Sequence, residues 1–210
     1  MHLRAALVAL VAGAAFPLAA RAQGEAAGLA RAVPIDSATA RTLLAQAARQ
    51  YPKFGQALAD VRQHEPLLRR VVVVDANGPL GSPGAAFPNG AVRLDQRFLE
   101  QPQPGYDDNR LVVVLYHEVG HLHYFAQVPP GQRTSAASEQ VAFEYSLLKA
   151  RQLAEAGDCG PLQTGLRNMR RRSQVDNPAD PHVQALQRLV PSALFADYQR
   201  YAAAHCPAER

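Results

Sequence analysis

The chain has 210 residues, enough for a single domain with a real hydrophobic core, and carries a formal net charge of +4. Removing residues 1–22 would take away Arg4 and Arg21 and no acidic residue, so that excess falls by two. The high pI is therefore no argument for a nucleic-acid or membrane partner.

In chain order, Met1–Arg4 is a short positive start, Ala5–Phe16 an apolar run, and Ala20-Arg21-Ala22 an A-x-A cleavage site. Together they predict a secretory signal peptide over residues 1–22, too short for a membrane span. No cysteine follows the cleavage point, so no lipid anchor is expected there. The chain should be exported across an inner membrane, to a periplasm. Residues 23–34 are Ala/Gly-rich without apolar periodicity and read as a flexible mature N-terminus. Residues 35–210 then form one domain.

Asp36 or Ser37 can cap a helix carrying Leu43, Leu44, Ala47 and Tyr51, and Pro52 opens a second with Phe54, Leu58 and Val61 at helical spacing. Val71–Val74 is a β-branched run ahead of Asn77-Gly78-Pro79 and reads as a buried strand. Gly81–Gly84 and Pro88-Asn89-Gly90 read as loop punctuation. Ala91–Asp95 alternates apolar and polar residues, as a one-sided or edge strand does. We expect this strand to pair with a substrate backbone. After Gln101–Gly105, Asp107 or Asp108 caps a helix ending near Gln127, ahead of Pro129-Pro130-Gly131. A long helix follows from about Ser135 to Ala156, closed by Gly157. Two or three more helices fill Pro161 to His205, separated by Asn177-Pro178 and Pro191. The fold class is α+β, mostly helical with two to four short strands before the long helix.

The helix after Asp107 carries Leu111–Tyr116, almost wholly apolar, and then His117-Glu118-Val119-Gly120-His121. Histidines four apart project from one face about one turn apart, with the glutamate reaching the same cleft. H-E-x-x-H thus offers two nitrogen ligands for Zn²⁺ and a carboxylate to take a proton from water. Burying these groups in so apolar a helix would be costly without a partner such as a metal. Tyr124 and Gln127 stand where the extended metzincin motif needs Gly and His, which excludes that class. The third ligand is Glu139 or Glu144, both on the following helix.

Phe87-Pro88-Asn89-Gly90-Ala91-Val92-Arg93-Leu94, His117–His121 and Glu139-Gln140-Val141-Ala142 resemble, in order and spacing, the gluzincin zinc peptidases. The closest likeness is to the prenyl-protein and heat-shock endopeptidases and their small soluble relatives, over about residues 87–148. The resemblance implies a zincin-like domain in which His117, His121 and Glu139 hold Zn²⁺ and Glu118 is the general base. It also implies a peptide or protein substrate, with water as nucleophile. Many relatives carry Asp just after E-x-x-A, and here that residue is Phe143. The alternative is a zinc-binding envelope protein with a regulatory or assembly role and no turnover.

Several readings concern other residues. Gly120 inside a helix implies close approach of another backbone. His123 lies roughly 200° around the helix from His121 and should point away from the metal. His64, His182 and His205 read as surface or capping residues. The donor to the oxyanion expected in this chemistry is open between Tyr145, His182 and the arginines. Arg167 with Arg170-Arg171-Arg172 reads as a solvated helix face. Cys159 and Cys206, the only cysteines of an exported chain, should form a disulfide.

Overall fold

The structure, a computed structural model, describes residue 29 and residues 31–75 and 82–208. The signal-peptide reading lies outside the described residues. The architecture is α+β. A four-stranded sheet, order β1-β2-β4-β3, comprises β1 (Val33–Pro34), β2 (Arg70–Asp75), β3 (Gly84–Phe87) and β4 (Ala91–Asp95). The helices are α1 (Ser37–Gln50), α2 (Pro52–His64), α3 (Gln96–Glu100), α4 (Asp108–Gln127), α5 (Ser135–Glu155), α6 (Gly160–Ser173), α7 (Pro181–Leu189) and α8 (Ala193–His205). Among the described residues no helix is long and apolar enough to cross a membrane.

Capping follows the residue types. The Asp36 side chain accepts from the Ala38 and Thr39 amides at the start of α1, and Asp107 accepts from the Arg110 amide at the start of α4. Asp108 reaches back to the Lys53 and Phe54 amides, tying the start of α2 to α4. Two apolar cores flank α4. One lies towards the sheet, α1 and α2 and includes Phe54, Leu58, Val73, Val92, Val112, Leu115 and Val119. The other, among α5 to α8, includes Val113, Leu147, Leu162, Met169, Leu186 and Phe195. The motif helix is therefore buried on both sides.

Three expectations change. β4 is an interior strand, parallel to β2 on one side and antiparallel to β3 on the other. Both its backbone edges are paired, so it cannot accept a substrate strand; Val92 and Leu94 are buried because the strand is central. The edge beside β4 belongs to β3, which was not read as a strand. Lastly, the N-terminal stretch is tied down at its end. Leu29 packs with Val74 and Ala85, Val33–Pro34 pairs with β2, and the Arg93 guanidinium donates to the Leu29 carbonyl at 2.7 Å.

Cys159 and Cys206 form a disulfide with Cα atoms 5.6 Å apart, joining the N-cap of α6 to the C-cap of α8.

Candidate metal centre

α4 presents His117 and His121 from one face, with their Nε2 atoms 3.2 Å apart. The next helix brings in the carboxylate. α5 starts at Thr134, whose amide donates to the Tyr124 hydroxyl at 2.8 Å, so α4 itself fixes where α5 begins. The two helices can approach closely because Gly120 lacks a side chain: a Cβ there would lie 2.6 Å from the Ala142 Cα. This is the close backbone approach that a helix-interior glycine implies, and its neighbour is the helix that carries Glu139.

Glu139 reaches between the histidines. Its Oε2 lies 3.1 Å from His117 Nε2, and its Oε1 lies 3.6 Å from His121 Nε2. Glu144, the other candidate, accepts a hydrogen bond from the Gln140 side chain at 3.0 Å instead. The Ser138 hydroxyl meets His121 Nδ1 at 2.8 Å, which leaves Nε2 for the centre.

A fourth group completes the cluster. His182, at the start of α7, puts Nε2 3.2 Å from Glu139 Oε2, while its Nδ1 lies 3.0 Å from Asp180 Oδ1. Asp180 in turn accepts from Arg172 at 3.1 Å and caps α7 through the His182 amide. The reading of His182 as a capping or surface residue is thus corrected. Its place in sequence follows a cap, but its ring turns inward. Asp-Pro-His at a helix start, with the carboxylate two residues from the imidazole, was the available signal. Asp180's carboxyl lies well below its ordinary value: burial alone would raise it, and the bonds and charges of His182 and Arg172 outweigh burial.

The remaining candidates fall elsewhere. Tyr145 donates to Glu65 at 3.1 Å, beside His123, which also meets Glu65 at 3.0 Å. His64 pairs with Asp60 at an exposed site, and His205 packs on Tyr201.

Glu118 is 3% exposed and takes a hydrogen bond from the Ala86 amide of β3. Burial, and then the charge of Glu139, push its carboxyl up to about 8. Burial is also the main force holding His117 and His121 below the ordinary imidazole value, in the neutral form that ligates metals. Gly84 lets β3 pass close by, since a Cβ there would sit 2.9 Å from Glu118 Cγ. A cavity of about 270 Å³ opens along Gly84–Ala86, the histidines, Glu118 and Glu139.

His117, Glu139 and His182 can together hold a metal ion. Glu139 Oε2 is buried without a hydrogen bond although imidazole nitrogens of His117 and His182 face it. The neutral imidazoles of His117 and His121 turn lone pairs towards the buried Glu139 carboxylate, and a cation relieves that repulsion. The donors therefore fit a metal.

No family model, curated protein or solved structure matches this chain. The chemistry of the site alone carries its assignment. In that light the Phe143 departure has a visible correlate. The Phe143 ring packs 4.5 Å, centroid to centroid, from the His117 ring, and His117 Nδ1 is buried with no hydrogen-bond partner.

Proposed function

We propose that this protein is an exported, gluzincin-like zinc peptidase acting on peptide or protein substrates. One observation carries the reading: Glu118 lies buried beside His117, His121 and Glu139, with a substrate-sized cleft in front of it. His117 and His121, at the H-E-x-x-H spacing, and Glu139, which reaches both, would be the three protein ligands, with His182 left beside an open position. Zinc held there supplies Lewis acidity, lowering the pKa of water and polarising a carbonyl. Glu118 accepts the proton of the attacking water and delivers it to the leaving amine. Asp180 holds His182 at Nδ1, and in its doubly protonated form His182 would donate from Nε2 to the oxygen on which charge develops. The substrate backbone adds to the free edge of β3 along Gly84–Ala86, which lines the cleft. The Cys159–Cys206 disulfide supports an oxidising compartment, and hence export to the periplasm.

Glu118→Gln tests this. The variant should keep its fold and bound zinc while hydrolysis falls by at least about 100-fold, the contribution typical of general base catalysis. Turnover close to that of the unchanged protein would refute the mechanism. The unpartnered His117 Nδ1 favours a second reading, a zinc-binding envelope protein without turnover. Stoichiometric zinc with no chelator-sensitive hydrolysis in any peptide pool would select it.

A further inference from the structure

A second, smaller cavity of about 100 Å³ adjoins the centre, reaching His117, Glu118 and His182 from the side of the α4 N-terminus. Val113, Val114 and Met169 form apolar walls, and two arginines, Arg110 and Arg172, supply its charge. The arginines differ in one respect. Arg172 is paired with Asp180 at 3.1 Å. Arg110 has no acidic partner for its guanidinium among the described residues; its ring contact is Tyr106, with the guanidinium carbon 5.9 Å from the centroid.

That isolation is costly. Burial foremost, with repulsion from Arg172 and Arg171, pushes the Arg110 pKa below its ordinary value, and the opposing pull of Tyr106 and Asp107 does not offset it. A half-buried cation next to another cation is stabilised by any anion that enters beside it. The position of Arg110 is also informative. It shares a face of α4 with Val113, Val114 and His117, two turns before the first histidine. The axial offset is about 10 Å, equal to about three residues of extended peptide. The guanidinium is a planar fork that matches a carboxylate.

We infer that the cavity at Arg110 is a subsite for a carboxylate of the substrate, so that this site selects peptides with an acidic side chain or a free C-terminus within about three residues of the scissile bond. Cleavage beside the subsite rests on the peptidase reading; the carboxylate rests on the cavity and its arginine.

The test takes the full, metal-loaded protein and two sets of probes. One is a series of cleavable peptides bearing aspartate or asparagine at each of three positions on either side of the bond, with free or amidated C-termini. The other is a matching series of uncleavable peptide hydroxamates, whose binding is measured by calorimetry. We expect the acidic member of one pair to be cleaved and bound about tenfold or more better than its neutral twin, as a charge-assisted contact to arginine provides. The advantage should fall towards one in Arg110→Gln and survive in part in Arg110→Lys. Which pair responds, side chain or terminus, identifies the source of the carboxylate. Equal binding of all twins by the unchanged protein, or an advantage untouched in both variants, would overturn the subsite. Failure of every hydroxamate to bind would overturn it too. An acidic preference among hydroxamates with no peptide cleaved would leave the subsite standing and remove the peptidase reading.

Discussion

Glu139 and Glu144 share one helix and have opposite surroundings. Glu139 is buried against three imidazoles, whereas Glu144 is bonded to Gln140 and faces away from the centre. Glu139→Ala should therefore lower zinc affinity by more than about 100-fold, and Glu144→Ala should leave stoichiometric zinc. Metal content after dialysis against a weak chelator distinguishes them, and the reverse outcome would refute the ligand set. His182 admits a similar separation. As an oxyanion donor its replacement by alanine should keep the metal and cost about 100- to 1,000-fold in kcat. Loss of the metal in that variant would make His182 a ligand. The spacing in sequence put His117, Glu118 and His121 on one helix face and left the next carboxylate open between Glu139 and Glu144, the family resemblance favouring Glu139. It did not single out His182 from the other candidate donors, because that approach depends on how α6 and α7 turn the chain back across α5. No local periodicity records that return.

At the scale of elements, the joint between α4 and α5 sets the site. Gly120→Ala gains about 1 kcal/mol of helix propensity. It also forces a methyl to within 2.6 Å of the Ala142 backbone, and such overpacking costs about 1–3 kcal/mol. The net expectation is a lower thermal midpoint together with weaker zinc binding, since parting the helices withdraws Glu139. Unchanged zinc affinity in a destabilised variant would show that the carboxylate is positioned by other means. The long helices were legible, with Asp36, Asp107 and Pro52 at their starts and Pro129-Pro130 between α4 and α5, but the short α3 was not. The sheet was not. β3 is Gly-Ala-Ala-Phe, with no β-branched residue, and becomes a strand only because β4 offers a complete backbone edge. Likewise β1 is two residues long and exists by pairing with Asp75 and Val74. The alternation in β4 suggested an edge, but Arg93 leaves the core by crossing to the Leu29 carbonyl rather than by facing solvent.

Across the whole molecule, the disulfide closes the second core rather than the site. The bridge spans a separation of 47 residues, and a loop of that size contributes roughly 4 kcal/mol in the chain-entropy model. Cys206→Ser should lower the unfolding free energy by about 2–4 kcal/mol without changing zinc stoichiometry. Urea titration with and without reductant measures it, and an equal zinc loss would show that the second core holds the site directly. The position of α4 between two cores carries a wider consequence. Its buried residues belong to both, and the proposed ligands come from α4 and α5. An ion bound there acts as a cross-link between the sheet-side and helix-side halves, so occupancy and cooperativity become linked quantities. Free zinc at about 1,000 times its dissociation constant would add about 4 kcal/mol to the folded state by mass action. Metal supply in the compartment would then govern how long the chain resists proteolysis, apart from anything it does to a substrate.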